Sequence, residues 1–412
     1  MIAATRLSSI DLFAGAGGLT LGLQWAGFDA LLANDNWLPA VDTLKRNFRN
    51  TDVLCEDIRN LSAADILART DGVTPLLVAG GPPCQGFTSA GARRASDARN
   101  SLTGDFTRLV AELRPKWFLF ENVEGFLTMS GGDFVVELLD GVLEAGYTVR
   151  LRKVNVANYG VPQLRKRVIA IGSLGSDPGF PHPSHHAFGS PGAQIESTIG
   201  LPPTPTVADA LEQLSEPAPV EHDETIQGHI MPRVSESDLL RFQLLKPGQT
   251  MRDLPDNLQH RSYAKRANRR VADGMPTERR GGAPAGLRRL RADEPARAIT
   301  SAAIREFLHP LKNRSLTLRE CARLQGFPDR FAFVGNRSEQ ATLVGNAIPP
   351  SFGRVLGLWI AERCQSSGAG PEPASQLLEF HPTNSTGMSP TLRRIVDRIH
   401  ARYQIGGVPL WN

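Results

Sequence analysis

Cysteine is scarce: only Cys55, Cys84, Cys321 and Cys364 occur in 412 residues, and no two share a C-x-x-C spacing. That scatter argues against a disulfide framework or a zinc site and for a reducing compartment. No stretch approaches the roughly 18 apolar residues of a membrane span, and the opening Met1-Ile2-Ala3-Ala4-Thr5-Arg6 does not read as a signal peptide. A cytoplasmic protein with no membrane partner is expected. Pro181-His182-Pro183-Ser184-His185-His186 has no nearby cysteine or carboxylate to complete a metal site. It reads as a loop, and no metal is expected. No histidine lies close to Cys84 in sequence, which weakens a cysteine-hydrolase reading. The net charge is only +4, with 41% hydrophobic and 21% charged residues, ordinary values for a globular chain.

The first 170 or so residues alternate short apolar runs with helical patterns, as a mostly parallel sheet requires. Ser8-Ser9-Ile10-Asp11-Leu12-Phe13 reads as a strand entering the turn Ala14-Gly15-Ala16-Gly17-Gly18, with a helix after it. Thr20 stands where a dinucleotide fingerprint needs its third glycine, so the NAD reading weakens. A second strand over 28–33 ends at Asn34-Asp35-Asn36, where a carboxylate suits a ribose diol; alternatively Asp35 caps the helix over 38–48. A third strand near Val53-Leu54 leads to Glu56-Asp57-Ile58. The run Pro75-Leu76-Leu77-Val78 predicts a fourth strand, stopped abruptly by Ala79-Gly80-Gly81-Pro82-Pro83-Cys84-Gln85-Gly86-Phe87. Its thiol is either aimed from a strand tip or part of a surface turn. A strand over 116–120 ends in Glu121-Asn122-Val123, and Gln163-Leu164-Arg165-Lys166-Arg167 follows later. In a doubly wound sheet these tips share one edge and face one pocket.

From 173 to about 313 proline and glycine become frequent and strong strands disappear, so this insert reads as a second, smaller irregular domain. Residues 261–291 carry ten Lys/Arg against Asp273 and Glu278, a net +8 in a chain whose total is +4. A basic block on an otherwise mildly acidic protein points to a polyanion. Order returns with Leu316-Thr317-Leu318-Arg319-Glu320-Cys321-Ala322-Arg323-Leu324-Gln325-Gly326-Phe327-Pro328 and Gly345-Asn346-Ala347-Ile348-Pro349-Pro350. The expected organisation is a regular α/β domain at 1–172, the irregular second domain at 173–313, and a return to the first domain at 314–365. A linker and an amphipathic helix of no derivable role occupy 366–412.

The ordered set DLFAGAGG, GPPCQGF, ENV, QLRKR, LTLRECARLQGFP and GNAIPP closely resembles the DNA (cytosine-5)-methyltransferases. The resemblance covers roughly 8–172 and 298–365 and implies a Rossmann-like α/β fold, catalysis and cofactor binding at 1–172, target recognition by the insert at 173–313, S-adenosylmethionine as cofactor and a cytosine as substrate. It implies Cys84 as the nucleophile, Glu121 beside Asn122 at ring nitrogen 3, Arg167 at the base oxygen, and Arg165 orienting the acidic partner. Cofactor contacts implied are Phe13, Ala14, Gly15, Gly17 and Gly18 at the turn, Asp35 on the ribose, and Asp57 with Ile58 on the adenine. Pro83, Leu102, Asn346 and Ala347 would line the methionine side. Asn36 stands where many members carry tryptophan, with Trp37 one position later, and Thr88 replaces the usual serine. Double-stranded DNA is the implied partner, contacted by Gln85, Lys265, Arg266, Arg269, Arg270, Arg288, Arg289 and Thr300. The target cytosine must leave the duplex to be reached. A monomeric bacterial modification enzyme, with a separate cognate endonuclease as a possible companion, is expected. A transfer-RNA cytosine-5 methyltransferase is the nearest rival, but the insert lacks that branch's Cys-Phe-Thr signature. Amino-group methyltransferases need a polar residue before Pro-Pro and an aromatic after it, where this chain has Gly81 and Cys84. Retention of the catalytic set argues against a repressor that has lost catalysis.

Overall fold

The computed structural model describes residues 7–83, 101–186, 200–219, 226–261, 263, 286–365, 377–382, 388–403 and 405. Strand β1 (Ser8–Leu12) runs into α1 (Gly18–Trp25), then β2 (Asp29–Asp35), α2 (Leu38–Asn47), β3 (Asp52–Cys55) and α3 (Ala63–Arg69). Next come β4 (Leu77–Gly80), α4 (Leu102–Leu113), β5 (Trp117–Val123), α5 (Asp133–Glu144) and β6 (Tyr147–Asn155). The two-residue β7 (Gln163–Leu164) precedes β8 (Lys166–Leu174). The fourth strand thus extends two residues further toward Cys84 than the apolar run alone predicts, because Gly80 still pairs with Leu12 and Phe120.

The insert contains α6 (Val207–Leu211), α7 (Glu236–Leu244), β9 (Arg288–Arg289), β10 (Ala296–Arg297), α8 (Ala303–Glu306) and β11 (Phe307–Leu308). The chain returns through α9 (Leu318–Leu324), α10 (Arg337–Asn346) and α11 (Pro350–Gln365), and ends with β12 (Leu377–His381) and α12 (Pro390–Arg402).

The main sheet has eight strands in the order β12-β6-β8-β5-β4-β1-β2-β3. All run parallel except β8, which is antiparallel to both β5 and β6. Helices cover both faces, so the central strands are apolar throughout rather than alternating. Phe118 and Phe120 of β5 point to one core with Phe106 of α4 and Leu139 of α5. Trp117 and Leu119 point to the other, against Leu23 of α1 and Phe352 of α11. Burying each such side chain contributes about 1.5–3 kcal/mol.

Within the insert a small core gathers Phe242, Leu245, Met251, Leu254, Leu287 and Leu308. A separate cluster is shared between the insert root (Val207, Leu290, Ile299), the returning segment (Leu324, Phe327, Phe333) and α2 (Leu44). The insert is therefore rooted in the main body by apolar packing rather than hung from a linker.

The C-terminal segment has a role that its sequence did not disclose. β12 pairs with β6 as the eighth strand. Its Glu379 is buried between Arg150, at 2.7 Å, and Arg152. α12 buries Leu392, Ile395 and Ile399, and Arg402 pairs with Asp140 of α5 at 2.6 Å. α10 is a further helix not anticipated, although its capping box, Asn336 with Glu339, is written in the sequence.

Candidate active site

The tips of β1 to β5 do converge on one sheet edge. β4 ends at Gly80, and Gly81-Pro82-Pro83 carries the chain up to Cys84, which with Gln85 and Thr88 lies outside the described residues. Two contacts hold that approach. The Asn122 amide donates to the Pro82 carbonyl at 3.0 Å, while its Oδ1 accepts from the Val123 N–H at 2.8 Å. A Cβ at position 81 would lie 2.9 Å from Glu121 Oε2, so the glycine lets the turn sit against that carboxylate without displacing it. Asn122 thus shapes the turn that Glu121 overlooks.

Glu121 is buried, and its Oε1 is 2.6 Å from Nε of Arg167. The pair forms because β5 and β8 are antiparallel neighbours, with Val123 opposite Arg167 in the register. Burial pushes the Arg167 guanidinium below its ordinary range, and the Glu121 carboxylate counteracts it. Arg165 is fixed by backbone carbonyls, with the Glu121 carboxylate acting on it through charge. Its hydrogen bonds go to the carbonyls of Ile299 at 2.7 Å, Gly345 at 2.8 Å and Ala347 at 3.1 Å, and the arginine paired with Glu121 is Arg167. Register explains the division: Arg165 falls in the break between β7 and β8, whereas Arg167 is in the ladder with β5, opposite Val123.

At the glycine turn Phe13 (φ 60°), Gly15 (φ 57°) and Gly17 (φ 81°) all adopt left-handed backbone. Ala14 lies beside Trp37 and Val53 against the α2 cluster. Gly18 opens α1, where an added Cβ would meet the Ile348 carbonyl oxygen at 2.1 Å. That contact welds the DLFAGAGG turn to the GNAIPP segment. A Cβ at Gly15, by contrast, would meet nothing within 4 Å, so this part of the turn faces open space. The Asp35 carboxylate stands beside it, accepting from the N–H of Gly15 at 2.8 Å and of Trp37 at 2.9 Å. Burial raises its pKa, and those two N–H groups oppose the rise. Beneath the turn, Asp11 accepts from the Thr20 hydroxyl at 2.6 Å, and burial lifts its carboxyl to about 7.

Along the rim, Asn36 is exposed while Trp37 is half-buried. Asp57 is held by Arg59 through two bonds of 2.9 and 2.6 Å, which lower its carboxyl to about 2. Ile58 is buried, and its carbonyl accepts from Arg108. Pro83, Leu102, Asn122, Phe126 and Phe134 line a shallow cleft at the start of α4. Asn346 is exposed at the end of α10, and Ala347 is buried behind it.

The expected DNA contacts divide. Lys265, Arg266, Arg269 and Arg270 lie outside the described residues. Thr300 is exposed and Arg288 half-exposed. Arg289, by contrast, is turned into the insert. It is 4% exposed, and its guanidinium donates to the carbonyls of Leu245, Phe242, His309 and Lys312 and to Oδ1 of Asn313. Strand alternation points it inward and its neighbour Arg288 outward. Arg297, which the motifs did not single out, is exposed, and β10 sets it opposite Leu164, two residues before Lys166.

The family model described as C-5 cytosine-specific DNA methylase matches residues 7–361. The chain belongs to the C-5 cytosine-specific DNA methylases. Among relatives, the Type II methyltransferase M1.HphI of Haemophilus parahaemolyticus is 33% identical over 360 residues, 86% of this chain and 87% of that one. The Type II methyltransferase M.AgeI of Thalassovita gelatinovora is 33% identical, covering 85% of this chain and 98% of its own. The fold is shared with a candidate DNA modification methyltransferase encoded within an E. coli prophage (TM-score 0.64, 24% identity, 86% and 99% coverage). The methylase match ends before β12 and α12, so those two elements lie beyond the part that the family model describes. No described helix is long and apolar enough to cross a membrane.

Proposed function

We propose that this methylase transfers a methyl group to carbon 5 of a cytosine swung out of a short, specific DNA sequence, with Cys84 as covalent nucleophile. The observation that carries the reading is the buried Glu121–Arg167 pair set directly against the Gly81-Pro82-Pro83 approach to Cys84. A cytosine seated there meets a carboxyl at ring nitrogen 3 and a cation beside it. A free thiol of pKa about 8.5 is only a few per cent ionised at neutral pH. A nearby guanidinium raises that fraction. The Cys84 sulfur adds to carbon 6, a proton passed through Glu121 to nitrogen 3 offsets the charge that the addition places on the ring, and carbon 5 becomes nucleophilic. Once carbon 5 carries the methyl group, a base takes the carbon 5 proton, the carbon 5–carbon 6 double bond re-forms and the thiolate leaves.

The residues present fit S-adenosylmethionine. The open face of Gly15, the Asp35 carboxylate beside it and the exposed Asn346 provide a backbone cradle, a diol acceptor and a polar rim. Bound there, the cofactor supplies an electrophilic methyl group. On the DNA side, exposed Thr300, Arg297 and Lys166 and half-exposed Arg288 offer donors for phosphates. The 33% identity to Type II methyltransferases supports a modification role alongside a restriction endonuclease.

Base-resolution methylation sequencing of DNA from a methylation-free host tests the reading. Expression of the wild-type chain is expected to place 5-methylcytosine in one short sequence, and Cys84→Ser to abolish it. Undiminished methylation by Cys84→Ser refutes the covalent route, and unmodified DNA from soluble wild-type protein refutes the substrate.

A further inference from the structure

Behind the Glu121–Arg167 pair lies a buried polar cluster with no part in the chemistry above. Gln163 and Gln325 are fully buried, and Arg165 nearly so. The Gln163 amide N–H₂ donates to the Leu324 carbonyl at 2.9 Å and to Oε1 of Gln325 at 2.5 Å, and its Oε1 accepts from the Ile299 N–H at 3.0 Å. The Gln325 amide passes the chain on, donating to the carbonyls of Val344 at 2.5 Å and Ala347 at 3.3 Å. Arg165 spans the same gap, from Ile299 to Gly345 and Ala347. The gap has no room for a rearrangement: a Cβ on Gly345 would stand 2.3 Å from the Ser301 N–H nitrogen.

Four segments distant in sequence meet here. One carries Arg167, one Thr300, one Leu324 and Gln325, and one Asn346 and Ala347. Each carbonyl in this dry site needs a donor, because an unmet buried acceptor costs about 1–3 kcal/mol. A side-chain amide both accepts and donates, which is what Gln163 and Gln325 each do.

We propose that Gln163, Gln325 and Arg165 are positioning residues that form one strut between the base-side loop and the cofactor-side loop. The inference rests on the function proposed above. In this arrangement Arg167 on one side and Ala347 on the other keep their spacing because the strut holds both backbones. Cofactor affinity and turnover therefore depend on two amides that touch neither ligand.

Gln325→Glu and Gln163→Glu each replace a donor N–H₂ by oxygen at almost constant volume. Gln325→Glu sets an oxygen against the Val344 and Ala347 carbonyls, and Gln163→Glu sets one against Leu324. The affinity for S-adenosylmethionine is read by isothermal titration calorimetry, turnover on a duplex oligonucleotide, and folding by circular dichroism. The expected result for Gln325→Glu is a dissociation constant raised about tenfold, as loss of one to two buried hydrogen bonds implies, with reduced kcat and an unchanged spectrum. The double variant is expected to lose less than the sum of the two single losses, since both cut the same strut. Folded single variants that bind the cofactor and turn over like wild type, with only a lower melting temperature, overturn the proposal. If Gln325→Glu does not fold, Gln325→Met is measured in the same way, and wild-type affinity in that folded variant overturns the proposal equally. Wild-type protein that makes no 5-methylcytosine refutes the proposed function instead, and the calorimetric comparison still judges the strut.

Discussion

Arg288 and Arg289 are adjacent, carry the same charge and sit in the same two-residue strand, yet they should fail in opposite ways when replaced. Arg289 is buried with five donated hydrogen bonds, to four backbone carbonyls and the Asn313 side chain. Methionine fills most of its volume but leaves those acceptors unpaired. At about 1 kcal/mol for each lost bond, Arg289→Met should cost about 5 kcal/mol, a large part of the stability of most domains. The loss falls on the small core of Phe242, Leu245 and Leu308 that these bonds surround. Arg288→Gln removes a half-exposed cation for which no acidic partner is seen within 4 Å among the described residues. It should leave the urea midpoint unchanged. Where Arg288 neutralises one phosphate, its loss should lower the slope of log affinity against log salt by about 0.9. Urea unfolding monitored by tryptophan fluorescence, paired with DNA titrations at several salt concentrations, separates the two. A stable Arg289→Met protein with a reduced salt slope would refute the assignment, as would a destabilised Arg288→Gln protein.

Gly18→Ala places a methyl group 2.1 Å from the Ile348 carbonyl oxygen, which belongs to backbone and cannot swing away. Stability should fall by about 1–3 kcal/mol, and the dissociation constant for S-adenosylmethionine should rise at least tenfold by calorimetry; wild-type affinity would refute the weld between the two loops. Glu379 has its carboxyl lowered to about 2 by His381 and Arg152, against the opposing effect of burial. A depressed acid stabilises above its unfolded value of 4.5 and loses that stabilisation as pH falls toward 2. With 6% of its side chain exposed, the shift corresponds to roughly 3 kcal/mol. Glu379→Gln should therefore flatten the stability profile between those limits, and parallel profiles for variant and wild type would refute the role of β12.

The sheet edge was legible before any coordinates because its signals are local. Glycine turns, a Pro-Pro stop and acidic strand tips each report on a few consecutive residues, and parallel connectivity then forces the tips to one side. The same locality made the division between the regular body and the irregular insert visible from composition. What sequence could not decide is which of two similar side chains faces in. Arg165 and Arg167 differ only by position in QLRKR, and their separate tasks depend on a register with β5 more than 40 residues away. Arg288 and Arg289 are told apart only by strand alternation in a segment too short to show a period. β12 escaped notice because five residues after a linker carry no partner information; β6 supplies the partner through Arg150 and Arg152. The strut behind the site has the same origin, since Gln163, Gln325 and the Gly345 carbonyl are neighbours only once the returning segment has packed against the body. Local chemistry determined what the chain could do, and long-range packing decided which residues are left to do it.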